Sequence, residues 1–330
     1  MTAPPPPGGP PSDLAGQRIA GFEVISEIGR GGMAVVYKAR DLNLPGDLDL
    51  PRTVALKLLA PELARNDTFR RRFVHESVIA AALEHPHIVP VYAAGEFEGR
   101  LYIAMRYVPG PDLRGLLART GPLPLSRAVG IAGQAASALD AAHEHGLVHR
   151  DVTPGNILID AGTDSDRREH VYLTDFGLTK KSLSLTGLTA VGQFVGTLDY
   201  VAPEQISGKP VDARCDVYSL ACVVYEALAG SPPFRRDDDI ALLWAQQYDP
   251  PPPLTSHRPD LPHAVDEVLA KALAKAPEDR WSSCLEFIAA LRRTEALDDR
   301  TDATGPPRPP RPPEGPPPPP PDWALPVFRS

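Results

Sequence analysis

The chain has 330 residues, 42% of them hydrophobic and 23% charged, which excludes a wholly disordered chain and leaves room for two lobes. Lys plus Arg is 34 against 42 Asp plus Glu, a formal net charge of −8, and this acidic balance excludes general nucleic-acid binding, which relies on basic surface to neutralise phosphate. Three cysteines, Cys215, Cys222 and Cys284, fit neither a disulfide framework nor a zinc-ligand spacing and read as reduced, buried thiols of a cytoplasmic protein.

The first residues, Met1 to Pro11, are proline and glycine, with neither the basic nor the apolar region of a secretory signal. Residues 1–15 and 298–330 read as disordered proline-rich tails, since polyproline favours an extended helix without internal hydrogen bonds. Between them, residues 16–297 form the folded unit. From Phe22 to Tyr107 short β-type runs recur: 22–28, 34–40, 53–59, 89–96 and 101–107. One helical segment, about 67–83, interrupts them, with Phe69, Phe73, Ile79 and Leu83 among its apolar positions. From Leu113 onward helices dominate, at 113–119, 126–145, 212–229, 239–247, 263–274 and 283–293. The best apolar run, Val217 to Gly230, is interrupted by Ser219 and Glu226 and reads as a core helix, so no membrane partner is expected. The expected class is α+β and bilobal: a β-rich small lobe with one main helix, about 16–107, and a larger, mainly helical lobe, about 112–297.

Several short motifs carry chemistry. Gly29-Arg30-Gly31-Gly32-Met33-Ala34 lies between two strand-like runs, where glycines let backbone N–H groups approach phosphate oxygens. Val54-Ala55-Leu56-Lys57 is a strand ending in a lysine that can pair with Glu76, inside the only small-lobe helix, and reach nucleotide phosphates. In His149-Arg150-Asp151-Val152-Thr153-Pro154-Gly155-Asn156 an acid stands five residues before an amide in a tight loop. The acid can accept a hydroxyl proton while the amide binds a metal ion. Asp175-Phe176-Gly177, after the strand-like Val171-Tyr172-Leu173, adds a carboxylate to make an oxygen-rich Mg²⁺ site. Ala202-Pro203-Glu204 follows, then Asp212, Asp216 and, much later, Arg280.

In this order and at these intervals, the motifs resemble those of the bacterial eukaryotic-like Ser/Thr protein kinases over about residues 20–293. The Gly-x-Gly-Gly-Met-Ala-x-Val-Tyr variant and Gly196-Thr197-Leu198-Asp199-Tyr200-Val201-Ala202-Pro203-Glu204-Gln205 resemble the bacterial branch in particular. The resemblance implies a bilobal kinase fold and transfer of the γ-phosphate of ATP to Ser/Thr hydroxyls of proteins, with Mg²⁺, or Mn²⁺ in its place. It implies that Ile28, Gly29, Arg30 and Gly31 cover the nucleotide, that Val36, Ala55 and Leu158 sandwich the adenine, and that Met105 stands at the back of the pocket. The backbone of Arg106 to Val108, Tyr107 included, would read the adenine edge. Lys57 would contact the α- and β-phosphates and be held by Glu76, Asp151 would orient the attacking hydroxyl, and Asn156 and Asp175 would hold the metal. Glu204 and Arg280 would form a structural ion pair, and Asp216 would brace the catalytic loop.

Two positions depart from the family pattern. Ala34 replaces the third glycine and adds only a methyl group. Thr153 stands where these kinases usually carry a lysine, and the loss of one charge-assisted hydrogen bond, roughly 1.5–3 kcal/mol, is worth about 10- to 100-fold in rate. An alternative stays open on these residues: a nucleotide-binding scaffold with weak or no transfer, acting through its proline-rich tails. Expected partners are protein substrates, a polyproline-binding protein for the C-terminal tail around Pro306–Pro313, and a second copy for trans-autophosphorylation. The hydroxyl-rich segment between Asp175 and Glu204 is expected to autophosphorylate at Thr189 and secondarily Thr186, with the phosphate pairing to Arg150.

Overall fold

The computed structural model describes residues 14–43, 52–160, 169–176 and 198–303. The small lobe is a six-stranded antiparallel sheet in the order β1-β2-β3-β4-β6-β5. Its strands are β1 (Arg18–Ile19), β2 (Phe22–Arg30), β3 (Ala34–Asp41), β4 (Thr53–Leu59), β5 (Val91–Phe97) and β6 (Arg100–Arg106). Strand alternation sorts the side chains between two faces. Val35, Tyr37 and Ala39 of β3 and Val54, Leu56 and Leu58 of β4 build an outer cluster with Leu14, Ile19, Phe22 and Val24. The intervening Val36 and Ala55 belong to a second cluster. The register pairs Val36 with Lys57 and Ala55 with Met105, so these residues lie side by side.

Short helix α1 (Pro61–Ala64) precedes α2 (Asp67–Ala82), which starts where the Asn66 side chain accepts a hydrogen bond from the Phe69 N–H at 3.0 Å. Its residues Phe73, Ser77 and Ala80 are buried, and Phe73 packs on Leu59, Leu101 and Ile103. The expected strand at 89–96 begins at Val91 instead. Pro90 lacks an N–H and interrupts the ladder, and the Val89 N–H donates to the Leu173 carbonyl at 3.0 Å. That bond ties the small lobe to a hairpin of the large one, β7 (Ile157–Asp160) paired with β8 (His170–Leu173).

The large lobe is built on α4 (Leu125–Glu144), α6 (Arg214–Ala229) and α9 (Cys284–Ala303), with α3 (Leu113–Thr120), α5 (Pro203–Ile206), α7 (Asp239–Tyr248) and α8 (Ala264–Ala272) around them. The Val217 to Gly230 run is the buried core helix α6, closed by Gly230 at φ 82°. Its Ser219 hydroxyl donates to the Tyr200 carbonyl at 2.7 Å, and its Glu226 carboxylate accepts from the Tyr200 hydroxyl, which is why two polar residues are tolerated there. Asp140 of α4 accepts from the Cys284 and Leu285 N–H groups and caps α9. Helix α9 runs to Ala303, past the expected boundary at 297, and Leu14 is buried just ahead of the expected start at 16. Among the described residues no helix is long and apolar enough to cross a membrane.

Candidate active site

The floor of the cleft between the lobes is apolar. Ala55, Val89, Met105, Val108 and Tyr172 form one buried cluster, and Val36 and Leu158 pack against it. Five sequence-predicted nucleotide residues, Val36, Ala55, Met105, Val108 and Leu158, thus converge from four strands and a connecting segment. Val89 and Tyr172 were not expected there; their only signals were the strand-like runs 89–96 and 171–173. Gly110 takes the chain into the large lobe with its backbone against β7, where a Cβ would stand 2.1 Å from the Ile159 carbonyl oxygen. Only glycine fits without a shift.

Over this floor β2 and β3 form a hairpin, closed by the Gly31 N–H donating to the Ala34 carbonyl at 2.9 Å. Gly29 pairs with Val36. Ile28 is largely exposed on β2. The Arg30 guanidinium is engaged by both carboxylate oxygens of Glu27, which turns it to a neighbour on its own strand. Tyr107 is half-buried in the segment joining the lobes.

The polar centre lies deeper. The Lys57 Nζ forms an ion pair with Asp175 Oδ1 at 2.7 Å. Glu76, the expected partner of Lys57, sits half-buried on α2. The Asn156 Nδ2 donates to the Asp151 carbonyl at 2.8 Å, and the Thr174 N–H donates to the Asn156 carbonyl at 3.0 Å. These bonds hold Asp151, Asn156 and Asp175 in one assembly. With the Asn156 nitrogen committed, its amide oxygen and the Asp175 carboxylate are the two candidate metal donors. Two hard oxygen donors of this kind suit Mg²⁺ or Mn²⁺.

The backbone here is over-determined. Arg150 and Asp175 both adopt left-handed conformations, φ 64° and 65°, which L-residues adopt at a cost of roughly 1–2 kcal/mol. A wholly buried carboxylate, Asp216, holds the first: it accepts the His149 and Arg150 N–H groups, each at 2.8 Å. His149 holds the second region. Its Nδ1 accepts from the Asp151 N–H at 3.2 Å, so its Nε2 carries the proton donated to the Thr174 carbonyl at 2.9 Å. The Phe176 ring packs on this imidazole, centroids 4.7 Å apart.

Burial would raise the Asp216 carboxyl, but hydrogen bonds from His143 and the loop backbone outweigh it and keep the group ionised. Burial likewise opposes charge on His143, yet Asp140 and Asp216 on either side push its pKa up to about 9. His143 Nε2 donates to Asp216 Oδ2 at 2.7 Å, and Nδ1 faces Asp140 at 3.5 Å. This imidazolium was missed in the sequence, because Asp216 comes from 73 positions along the chain, although Asp140 is one turn back on α4. Gln205 closes the loop from the other side: its Nε2 donates to the Arg150 carbonyl at 2.9 Å. Glu204 and Arg280 form the expected pair, a buried bidentate contact at 2.7 and 2.8 Å.

The family model for the protein kinase domain matches residues 22–291, the span that carries this whole assembly. The chain belongs to the protein kinase family. Its relatives put it in the bacterial eukaryotic-like Ser/Thr branch of that family. It is 42% identical over 278 residues to serine/threonine-protein kinase PknJ of Mycobacterium bovis, covering 84% of this chain and 46% of the relative. It is 41% identical over 290 residues to PknD of Mycobacterium tuberculosis, covering 88% of this chain and 42% of the relative. The chain therefore spans less than half the length of these relatives. The crystal structure of the PknI kinase domain of Mycobacterium tuberculosis superposes with a TM-score of 0.68 at 37% identity, covering 85% of this chain and 99% of that one. Rad53 in complex with AMP-PNP matches with a TM-score of 0.63 at 26% identity, covering 81% of this chain and 64% of that one. As in the kinase pattern, the lysine strand meets one of the two metal-ligand candidates, through the Lys57–Asp175 ion pair. The candidate phosphorylation sites Thr186 and Thr189 lie outside the described residues, as does Gly177.

Proposed function

We propose that the chain transfers the γ-phosphoryl group of ATP to Ser and Thr hydroxyls of proteins. The observation that carries this reading is the assembly of Lys57, Asp151, Asn156 and Asp175 beneath an apolar floor, with Lys57 and Asp175 in direct contact. The AMP-PNP carried by a fold neighbour supports the nucleotide, and the oxygen donors of Asn156 and Asp175 support the divalent cation. Bound there, the cation would neutralise phosphate charge as the transition state spreads it over the oxygens.

The chain's own residues supply positioning and charge, which is most of what phosphoryl transfer demands. The apolar cluster of Val36, Ala55, Met105, Val108 and Leu158 excludes water from the base. Lys57 holds phosphate oxygens. Asp151 orients the hydroxyl and takes its proton as the oxygen–phosphorus bond forms and the β–γ bridge breaks. His149 and Asp216 keep the Asp151 backbone fixed while this happens.

Regulation by loop phosphorylation belongs to the same proposal. Arg150 supports it: its Nε is buried without a hydrogen-bond partner, and its backbone is tied to Asp216 and Gln205. A phosphate on Thr189 or Thr186 supplies the missing acceptor. A reducing, cytoplasmic setting is part of the reading as well, in keeping with three free and buried thiols.

The test is incubation with labelled ATP and Mg²⁺ and a protein acceptor, followed by mass spectrometry. Wild type should label the acceptor and carry phosphate at Thr189 or Thr186, and Asp151→Asn should do neither. Retained nucleotide binding with no labelling by wild type would favour a scaffold instead.

A further inference from the structure

A second polar cluster lies in the large lobe, where α4 meets the start of α9. Asp140 and His143 are one turn apart near the end of α4, so both side chains project from the same face of that helix. Cys284, the first residue of α9, is wholly buried. One ligand atom from each residue, a carboxylate oxygen of Asp140, a ring nitrogen of His143 and the Sγ of Cys284, lies within 4.8 Å of the other two. The imidazole is already oriented. Its Nε2 donates to the buried Asp216 carboxylate at 2.7 Å, which leaves Nδ1 facing Asp140 Oδ1, 3.5 Å away. A carboxylate behind the far ring nitrogen is the arrangement that fixes metal-binding histidines. Asp140 is held as well, since its oxygens accept the Cys284 and Leu285 N–H groups at 3.0 and 2.9 Å. The His143 and Asp140 side chains are 11% and 15% exposed, which leaves an approach for an ion and for a water as fourth ligand.

We propose that Asp140, His143 and Cys284 form a binding site for Zn²⁺. Nitrogen, sulfur and one carboxylate oxygen make a donor set that suits Zn²⁺ and disfavours Mg²⁺ and Ca²⁺. Ligand atoms around a tetrahedral zinc ion stand roughly 3.3–3.6 Å apart. The His143–Asp140 separation of 3.5 Å lies in that range, and a small shift of the sulfur completes the set. Charge balances too. Zn²⁺ displaces the Nδ1 proton of His143 and the thiol proton of Cys284, so two positive charges enter as two protons leave. The interior keeps its net charge, and Nε2 keeps its proton for Asp216. Without a cation, burial and the Asp140 and Asp216 carboxylates hold the Cys284 thiol protonated, whereas a metal-bound thiol is deprotonated outright. The ion joins α9 to α4 behind Asp216, the carboxylate that holds the catalytic loop. The site shares no residue with the nucleotide cleft and is independent of phosphoryl transfer.

The test uses the full chain, stripped with a chelator and titrated with Co²⁺, a spectroscopic stand-in for Zn²⁺, in excess Mg²⁺. Thiolate bound to Co²⁺ gives a near-ultraviolet charge-transfer band that imidazoles and carboxylates alone do not, so binding at surface histidines does not enter it. Cys215, Cys222 and Cys284 are the only cysteines of the chain. One equivalent of Co²⁺ should develop the band, one equivalent of Zn²⁺ should abolish it, and Zn²⁺ should raise the melting temperature. Cys284→Ala should lose the band and bind Zn²⁺ at least about 100-fold more weakly. Cys215→Ala with Cys222→Ala should keep the band in full, which assigns the sulfur by elimination even if Cys284→Ala does not fold. Wild type without the band or without a Zn²⁺-dependent melting temperature would overturn the site. So would a band that survives in Cys284→Ala or is lost from a folded Cys215→Ala, Cys222→Ala protein.

Discussion

Arg280 and Glu204 meet where neither side chain touches water: both are 3% exposed as residues. Arg280 also donates to the carbonyls of Ala274, Arg214 and Lys275, so it knits four chain segments together. Removing one partner strands the other's charge in the core. Arg280→Ala should therefore cost about 3–5 kcal/mol, read from the midpoint of urea unfolding. His143 has a different signature. Its pKa is raised from 6.5 to about 9, so its stabilising contribution is complete below pH 6.5 and is lost as pH rises through 9. His143→Gln keeps a donor for Asp216 but cannot titrate. The stability difference between wild type and this variant should shrink steadily across that window; a difference independent of pH would show that His143 is neutral in the fold.

At the scale of elements, Gly110 is the tightest joint. The added methyl of Gly110→Ala would press on the Ile159 carbonyl, forcing β7 away from the segment that carries Val108. The expected cost is roughly 1–3 kcal/mol of stability and weaker ATP binding, measured by calorimetry. Much of the element order is legible in the sequence. Period-two runs mark the strands, and glycine and the kinase motifs mark the site. What escapes is what depends on distant partners. Pro90 breaks a run that composition reads as continuous, and Val89 pairs with Leu173 of the other lobe. Helix α9 outlasts its apolar pattern, reaching Ala303 where 293 was expected. Asp175 and Arg150 carry left-handed backbones with no glycine to announce them. The contact that brings Lys57 to the metal-ligand candidates is with Asp175, 118 positions on and in the other lobe, a distance the sequence does not show.

For the molecule as a whole, the proposed transfer depends on the two lobes meeting at a few points. The sheet supplies Lys57, the hairpin β7–β8 supplies Asn156 and Asp175 at its ends, and the Val89–Leu173 hydrogen bond joins the two units. Asp216, buried under the catalytic loop, anchors that loop to α6, so the site stands on the most deeply buried helix of the protein. The most direct measurement is phosphate transfer from labelled Mg-ATP by Lys57→Met beside wild type, with the melting temperature recorded for both. Lys57 is 14% exposed at the side chain and lies outside the large hydrophobic clusters, so the variant tests the proposed phosphate contact and not packing. Transfer should fall by at least about 100-fold with the melting temperature unchanged. Transfer at the wild-type rate by that variant would contradict the assignment of this cleft as the phosphoryl-transfer site.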